Sequence, residues 1–402
     1  MDERRYYGLD ALRGSMMMLG IVLHASELYL AAPPPQMPIP TDRNTSVVFD
    51  LLFDLIHSFR MPTFFVLAGF FTSLLIEKRG LMGTYKNRAA RILAPLLVGM
   101  VTILPVTVLF MVDFMLSARF GTLNLVPDLG QLKTLRQELQ EAGMPVGQPS
   151  PVHLWFLLYL LYFYLLIPVC QVLVKRSLLI EQGVAKLLAS PFTLVVFALY
   201  TSATLWPYRG GQVLTGFIYF MPHPPSLLYY GSFFVLGYLF HHHRIILETF
   251  KRYVPWYAGL ALALFPLSLY LSHVEYAASA PTQVTHLAAV LAHGLCTWTL
   301  IYLSIGSALR FFDYASPWIL YTSQSSYWVF LVHLPVVAFS GWWLTQYDFP
   351  AVLKFLCVTG FATLVCFVSY HYWVQNTRIS DLLSGRRFNL KWPWLERRQM
   401  ER

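Results

Sequence analysis

The stretch Leu9–Ala25, LDALRGSMMMLGIVLHA, decides how the rest of the chain is interpreted, because it places an arginine and a histidine inside an otherwise apolar segment. Charged side chains in hydrocarbon are costly, so they are kept mainly where they serve a function. Arg13 and His24 are 11 positions apart, just over three helical turns, so they share one helix face about 16 Å apart along the axis. The spacing predicts a polar track that enters a membrane from one side.

The composition is that of a membrane protein. Of the 402 residues, 56% are hydrophobic and 12% are charged, against roughly 25% charged residues in a soluble domain. Apolar stretches close to the ~20 residues that span a bilayer recur along the chain. They lie at about 9–30, 48–75, 92–115, 152–174, 187–206, 226–243, 253–272, 284–309, 317–343 and 350–374. We therefore predict an all-α polytopic membrane protein with ten transmembrane helices.

The positive charges predict how these helices are oriented. If the ten spans alternate across the bilayer, 21 Lys and Arg residues fall on one side and 5 on the other. Because positively charged loops stay inside, both termini are expected to be cytoplasmic. The interpretation gives a ten-helix membrane domain at 1–375, in the cytoplasmic (inner) membrane, and a basic cytoplasmic tail at 376–402 without chemistry of its own. Topology explains the net charge of +9, so no nucleic-acid partner is predicted.

The cysteines give no indication of a metal cofactor. All four fall in apolar segments, and none forms a close-spaced ligand pattern such as C-x-x-C. Small buried hydrophobic side chains are the ordinary role of such cysteines, so we predict neither a disulfide nor a metal site. The oligomeric state and any partner protein stay open.

One outer loop is long enough to hold structure of its own. Within residues 116–151, Leu132, Leu135 and Leu139 share a helical face, bounded by Pro127 and Pro145. We expect a short amphipathic helix over the outer surface. It serves either as a packing element or as a lid or wall for the acceptor.

The second predicted span has the densest polarity within the membrane. Asp50, Asp54 and His57 are spaced i, i+4 and i+7 on one face, and Arg60 follows within a turn. Such residues either form salt bridges that join helices or line a water-filled cavity. For Asp54, His57 and Arg60 together we favour the cavity, because hydrocarbon does not tolerate all three.

Basic residues before the third span indicate a second kind of site. The segment YKNRAARILAPLL holds Lys86, Arg88 and Arg91 at the predicted cytoplasmic surface, just before Pro95. Such residues ordinarily enforce topology. Alternatively, they hold an anionic cytoplasmic ligand such as a nucleotide or a coenzyme phosphate.

His24 is the sharpest catalytic candidate. With span one starting at the cytoplasmic edge, His24 lies in the outer half of the membrane and Arg13 lies near the inner mouth. Glu27, about one turn later, either fixes the imidazole tautomer or faces outer water. A base in the outer half and a cation in the inner half suggest a reaction between partners from opposite sides.

Two other membrane histidines have informative neighbours. His333 lies two residues before Pro335, whose missing N–H leaves a backbone carbonyl unpaired and favours a local cavity. His153 stands beside Trp155 at the outer start of the fourth span. A lone membrane histidine is also a common packing group, so both roles stay open.

Five motifs spread over residues 6–339 occur in a characteristic order. They are LDALRG followed by His24, FRMPTFFVLAGFF, YKNRAARILAPLL, HLWFLLYLLYFYLLIP and SYWVFLVHLPVV. Taken together, they resemble the acyltransferase-3 family of integral membrane O-acyltransferases, in particular its branch of glucan succinyltransferases. The resemblance implies a ten-span fold, His24 as the essential histidine, and Arg13 and Arg60 as basic positions for an acyl-coenzyme A donor. The chain departs from the family at Ala68, where many members have serine, and in HLWFLLYLL, which lacks a glutamate.

The residues and the resemblance together predict a membrane O-acyltransferase. It moves an acyl group, acetyl or succinyl, from cytoplasmic acyl-coenzyme A to a hydroxyl of an extracytoplasmic carbohydrate. Its catalytic residues are predicted to be His24 as general base, Glu27 and His333. The predicted binding residues are Arg13, Arg60, Arg88 and Arg91 for acyl-coenzyme A, and Asp54, His57, His153 and Trp155 for the carbohydrate.

A proton-coupled transporter is the main alternative, because membrane Asp and His residues also build proton relays. The sequence shows no repeat of hydrophobic segments and no second polar cluster symmetric to the first. We therefore place acyl transfer first. An inactive scaffold for glycan assembly is a third hypothesis, and direct transfer is favoured over an acyl-histidine intermediate.

Overall fold

The chain is helical throughout the part that the structure describes. The computed structural model describes residues 6–34, 40–121, 123, 128–142, 146, 149–214, 219–278, 282–385, 387, 392 and 393. Within these residues all regular structure is helical and no strand occurs. This confirms the predicted all-α class.

Fifteen α-helices lie within the described ranges. In chain order they are α1 Tyr7–Glu27, α2 Val47–Arg88, α3 Ala94–Phe120, α4 Leu129–Glu141, α5 Trp155–Tyr164, α6 Ile167–Leu179, α7 Glu181–Ala189, α8 Thr193–Leu205, α9 Pro224–His242, α10 Ile245–Arg252, α11 Val254–Ala277, α12 Gln283–Phe311, α13 Pro317–Leu344, α14 Ala351–Ser369 and α15 Arg378–Ser384. Short π-helical turns at Ala89–Leu93 and Tyr370–Val374 and 3-10 turns at Val152–Leu154 and Arg209–Gly211 complete the regular structure of these residues.

The apolar stretches predicted from the sequence all fall on helices. Among the described residues, five units are long and apolar enough to cross a bilayer. They are Val47–Phe120, Val254–Ala277, Gln283–Phe311, Pro317–Leu344 and Ala351–Val374. Two bent pairs, α5 with α6 and α7 with α8, bring the number to seven if each pair crosses as one span. The protein is therefore polytopic, while the count of ten and the cytoplasmic termini stay predictions.

Breaks in the helices explain part of the difference between the number of crossing units and the number of apolar stretches. The predicted spans at 9–30 and 226–243 lie on α1 and α9, which are not among the crossing units. Inside α2, Gly80 adopts φ 68° and ψ 174°, a backbone conformation that residues other than glycine rarely adopt. It interrupts the helix between the two spans predicted at 48–75 and 92–115. The pair α5 and α6 is bent by 57° and the pair α7 and α8 by 95°.

Small residues let the central helices approach each other closely. A methyl group added at Gly69 of α2 would lie 2.7 Å from the backbone nitrogen of Tyr238, and one at Gly237 of α9 would lie 2.6 Å from the carbonyl carbon of Val66. Backbone contact of this kind is the usual basis of helix packing in membranes.

Pro62 ties α2 to α12 through the carbonyl that it releases. Because proline has no N–H, Ser58 O loses its helical donor. Thr297 of α12 donates its hydroxyl to that carbonyl at 3.0 Å. The released carbonyl thus becomes a fixed contact between α2 and α12.

The amphipathic helix predicted in the long outer loop is present as α4. Asp128 caps its N-terminus, and Leu135 is its buried residue. Arg119 at the end of α3 donates two hydrogen bonds to Glu138 at 2.9 and 3.0 Å, which lower the pKa of that carboxyl. The pair fastens α4 to α3, and a role toward the acceptor stays a prediction.

Candidate active site

His24 and Glu27 form a hydrogen-bonded pair near the C-terminal end of α1. His24 Nδ1–H donates to Glu27 Oε2 at 2.9 Å, which leaves the lone pair on Nε2. The two side chains are 19% and 18% exposed, so the pair is shielded and yet reachable. An imidazole held by a carboxylate in this way is arranged as a general base.

His333 of α13 lies against His24, with ring centroids 5.3 Å apart. Its Nδ1–H donates to the carbonyls of Val329 and Phe330 at 2.9 and 2.8 Å. The lone pair is therefore on Nε2, which is buried and has no hydrogen-bond partner within the described ranges. Such an acceptor is costly unless a ligand or a water molecule donates to it.

His153 adds a third imidazole, with its ring centroid 5.8 Å from that of His333. Val152 just before it has φ 45°, which is strained for a β-branched residue and typical of functional sites. Pro335 leaves Leu331 O without its helical donor, and His153 Nε2–H donates to that carbonyl at 3.0 Å. The backbone carbonyl predicted to be unpaired near Pro335 is thus the group that orients His153.

Arg60 belongs to this histidine cluster. It is 5% exposed, and its Nε donates to Met16 O at 3.0 Å. The guanidinium occupies the space above Gly20, where an added methyl group would lie 3.1 Å from Arg60 Cζ and 3.4 Å from His333 Nε2. Gly20 is one turn before His24 on the same helix face, so the arginine and the histidines share one site.

The other three predicted donor-binding arginines, Arg13, Arg88 and Arg91, line a single cavity of about 420 Å³. Arg13 is held by Asp10 at 3.2 Å and by the Ser323 hydroxyl at 2.5 Å. Arg88 Nε is buried and has no hydrogen-bond partner among the described residues. The cavity therefore offers concentrated positive charge and an unused donor, which suit phosphate groups. Arg60 does not line it.

Apolar walls connect this basic cavity to the histidines. Met17 lines the cavity and precedes His24 by seven residues, about 10 Å along the axis of α1. Phe156, on the other wall, has its ring centroid 5.7 Å from that of Phe330, which in turn lies 6.2 Å from His333. The cavity and the histidine cluster are thus neighbours along α1 and α13.

The C-terminal helix α15 also contributes to the basic cavity. Leu383 and Ser384 are part of its lining. Gly385, with φ 73°, lies so close to Arg91 that an added methyl group would be 2.8 Å from the Arg91 Nε. The tail, which we expected to carry no chemistry, therefore forms part of the wall beside one of the arginines.

Two of the predicted acceptor-binding residues hold a loop. Asp54 hydrogen-bonds the side chain of Gln212, and His57 Nε2–H donates to Val213 O at 3.1 Å. His57 also stacks on Phe53, with ring centroids 5.3 Å apart. These side chains fasten the segment 212–214 to α2.

The other two predicted acceptor-binding residues lie on or just before α5. His153 is part of the histidine cluster, as described above. Trp155 packs among aromatic rings, with its centroid 5.4 Å from Tyr159 and 5.2 Å from Tyr230. The predicted acceptor residues therefore do not form one group. His153 lies at the histidines, Trp155 lies in an aromatic cluster, and Asp54 and His57 hold a loop, with His57 also within electrostatic range of His24, Glu27 and Arg60.

Some residues of the site escaped the sequence analysis. Gly20 is the one with a usable signal, because it precedes His24 by four residues on the same face. Ser323, which holds Arg13, and Gly385, which contacts Arg91, come from distant parts of the chain with no local pattern. No group of three or more His, Cys, Asp or Glu residues that could hold a metal ion occurs in the described part of the chain.

The chain is an integral membrane acyltransferase of the all-α class. The sequence profile of the acyltransferase-3 family, described as an acyltransferase domain, matches residues 6–371, so the chain belongs to this family. It is 27% identical to the glucans biosynthesis protein C of Escherichia coli O139:H28 (strain E24377A / ETEC) over 403 aligned positions, which cover 95% of each chain. The proteins of the same name from strains O1:K1 / APEC and K12 give the same identity and coverage. No solved structure matches the chain.

The family assignment separates the functional hypotheses. A member of an acyltransferase family along nearly its whole length is an enzyme that transfers acyl groups. This favours acyl transfer over the proton-coupled transporter and over the inactive scaffold. The buried histidines and arginine are then candidates for chemistry more than for a proton relay.

Proposed function

We propose that this membrane acyltransferase moves an acyl group, acetyl or succinyl, from cytoplasmic acyl-coenzyme A to a hydroxyl of an extracytoplasmic glucan, in the inner membrane. The observation that carries the proposal is the layout of α1. Arg13 lines the basic cavity, and His24, paired with Glu27, follows on the same face about 16 Å further along. The glucan acceptor rests on the name of the relatives, glucans biosynthesis protein C.

The basic cavity is the proposed site of the donor. The guanidinium groups of Arg13, Arg88 and Arg91 would bind the phosphates of coenzyme A, for which planar, fixed donors are well suited. The apolar wall that includes Met17 and Phe156 would accompany the pantetheine arm toward the histidines. The ~16 Å between Arg13 and His24 matches a run along an extended arm.

His24 is the proposed general base. The acceptor hydroxyl gives its proton to His24 Nε2 while its oxygen attacks the thioester carbonyl carbon, a step that a neutral hydroxyl performs poorly without a base. Glu27, hydrogen-bonded to Nδ1, stabilises the imidazolium that forms. The C–S bond then breaks, and the departing thiolate takes up the proton. This is direct transfer, without an acyl-histidine intermediate.

The acceptor would approach the histidines from the outer side. His153 Nδ1 and His333 Nε2 are buried acceptors without a protein donor among the described residues, so a sugar hydroxyl could satisfy either. We propose His333 as the group that orients the attacking hydroxyl and His153 as a contact for a neighbouring one. Asp54, His57 and Trp155 stay proposals for more distant sugar contacts.

Replacement of His24 tests the proposed function. The purified wild-type protein in nanodiscs, given radiolabelled acyl-coenzyme A and glucan oligosaccharides, should form labelled ester. His24→Ala should lower that rate by about 10²- to 10⁴-fold, the usual contribution of a general base. Binding of coenzyme A should be unchanged, because His24 does not line the basic cavity.

An exposed histidine provides the matched control. His242, in α9, hydrogen-bonds Ser73 and lies away from the site, so His242→Ala should retain wild-type rates. Near-normal ester formation by the His24→Ala variant would refute the assignment of the base. Mass spectrometry of glucans from cells with and without the protein would identify the acyl group and the acceptor.

A further inference from the structure

Arg60 is a buried cation that forms no direct ion pair with any described residue, and the Glu27 carboxylate acts on it only through space. It is 5% exposed, and its Nε is occupied by Met16 O. Neither Nη atom makes a hydrogen bond or ion pair with any residue in the described ranges. A buried, unpaired guanidinium is strongly unfavourable on its own, so its remaining donors call for an anionic partner.

The free edge of Arg60 faces the proposed reaction centre. Its Cζ lies 3.1 Å and His333 Nε2 lies 3.4 Å from the position that a side chain at Gly20 would occupy. His333 stacks beside His24 with ring centroids 5.3 Å apart. The absence of a side chain at Gly20 therefore leaves a space in which the guanidinium approaches the groups that act on the acyl carbon.

The location of Arg60 argues against a role in binding the phosphates of the donor. Arg13, Arg88 and Arg91 line the basic cavity, whereas Arg60 is absent from its lining. Arg60 is fixed instead to α1 at Met16, one turn before Gly20. The two Nη–H groups of a guanidinium fixed at this point suit a small, localised negative charge.

We infer that Arg60 is a catalytic residue that binds an anionic oxygen of the transferred acyl group, an inference that rests on the proposed function. As the acceptor oxygen attacks, the carbonyl π electrons move to the thioester oxygen, and the Arg60 Nη–H groups donate to the oxyanion. When the intermediate collapses, the C=O bond re-forms, the C–S bond breaks, and the thiolate takes the proton from His24. Preorganised donors of this kind act chiefly in the transition state.

If the acyl group is dicarboxylic, it carries a second anionic group that the Arg60 guanidinium can bind. The distal carboxylate of a succinyl group is also an anionic acyl oxygen, and a guanidinium edge binds it equally well. Acetyl has no such carboxylate. A comparison of acetyl and succinyl donors therefore distinguishes the two sources.

Three variants, measured in nanodiscs, test the inference. Arg60→Met removes the charge, Arg60→Lys keeps the charge without the paired donors, and Gly20→Ala places a methyl group against the guanidinium. Each should lower kcat, by about 10²- to 10³-fold for Arg60→Met, with unchanged affinity for coenzyme A. Gly360→Ala, which meets no atom within 4 Å, is the control for a helical Gly-to-Ala change, and Arg88→Ala is the comparator that should weaken coenzyme A binding.

The outcomes separate the possibilities. Equal loss of kcat with both donors supports the thioester oxyanion, and loss confined to the succinyl donor supports the carboxylate. Wild-type kcat in Arg60→Met, or weakened coenzyme A binding with kcat intact, would overturn the role of Arg60 and leave the proposed function standing. If the wild-type protein binds coenzyme A and forms no ester, both fail. Should Arg60→Met not fold, judged by its elution and thermal melting, Arg60→Lys and Gly20→Ala decide.

Discussion

Glu27 is the residue that holds the proposed base, His24, in place. Its carboxylate accepts from His24 Nδ1–H at 2.9 Å, so it both fixes the tautomer and stabilises the charge that forms on the imidazole. We expect Glu27→Ala to lower kcat by about 10- to 100-fold, in the range seen when a group that orients a histidine is removed. Glu27→Gln should lose less, because its amide oxygen still accepts from Nδ1–H.

A distant carboxylate provides the control for this comparison. Glu77, 55% exposed and 3.4 Å from His241, lies outside the proposed site, so Glu77→Gln should retain the wild-type rate. The measurement is single-turnover ester formation at saturating donor across pH. A Glu27→Ala variant as active as the wild type at every pH would show that the pair only packs α1.

For individual residues, sequence periodicity predicted which side chains share a helix face but not which side chains lie opposite them. Arg13 and His24 could be placed on one face of α1 because the helical period is known. Arg60 could not be separated from Arg13, since α2 packs against α1 through long-range contacts such as the hydrogen bond from Arg60 to Met16 O. Gly20 matters for the same reason: its role depends on the guanidinium that fills the space above it.

The short helix α15 is the element whose role the structure changes most. Gly385, at its C-terminal end, has φ 73° and contacts Arg91. Gly385→Ala should displace the Arg91 guanidinium and strain the turn, which we expect to raise the KM for the acyl-coenzyme A donor several-fold, with kcat nearly unchanged. A change confined to KM is the signature of lost uniform binding, and steady-state kinetics with varied donor measures it.

A Gly121→Ala variant distinguishes the effect of backbone strain from the effect of displacing the Arg91 guanidinium. It ends α3 with φ 70°, close to the value at Gly385, but an added methyl group there meets no atom within 4 Å. Gly121→Ala therefore introduces the same backbone strain without touching an arginine, and its donor KM should stay at the wild-type value. Equal effects of the two variants would contradict a role of α15 in donor binding.

The elements themselves differ in how well the sequence predicted them. The helix α4 was predictable because Leu132, Leu135 and Leu139 repeat at helical spacing between clear breakers. The bends of 57° between α5 and α6 and of 95° between α7 and α8 were not predicted, although Pro168 and Pro191 lie at them. Helix α15 has seven residues, too few for a periodic signal.

At the scale of the whole molecule, composition was sufficient to predict the class. A chain with 56% hydrophobic residues and regularly spaced apolar stretches has few alternatives to a helical membrane protein. The relation between the basic cavity and the histidines needed the fold, because it joins α1, the turn at Ala89–Leu93 and α13. Lys354 and Asp42 illustrate the same point: they are paired at 2.8 Å, fully or almost fully buried and 312 positions apart.

The orientation of the molecule decides which compartment supplies the donor, so it is the strongest test of the whole scheme. The charge asymmetry puts Lys186, exposed on α7, in the cytoplasm and Lys133, exposed on α4, outside. In a background without native cysteines, a membrane-impermeant maleimide should label Lys133→Cys in cells with a permeabilised outer envelope, and Lys186→Cys only after the inner membrane is opened. The reverse pattern would place Arg13, Arg88 and Arg91 on the side that lacks coenzyme A, and a cytoplasmic acyl-coenzyme A could then not be the donor that the basic cavity binds.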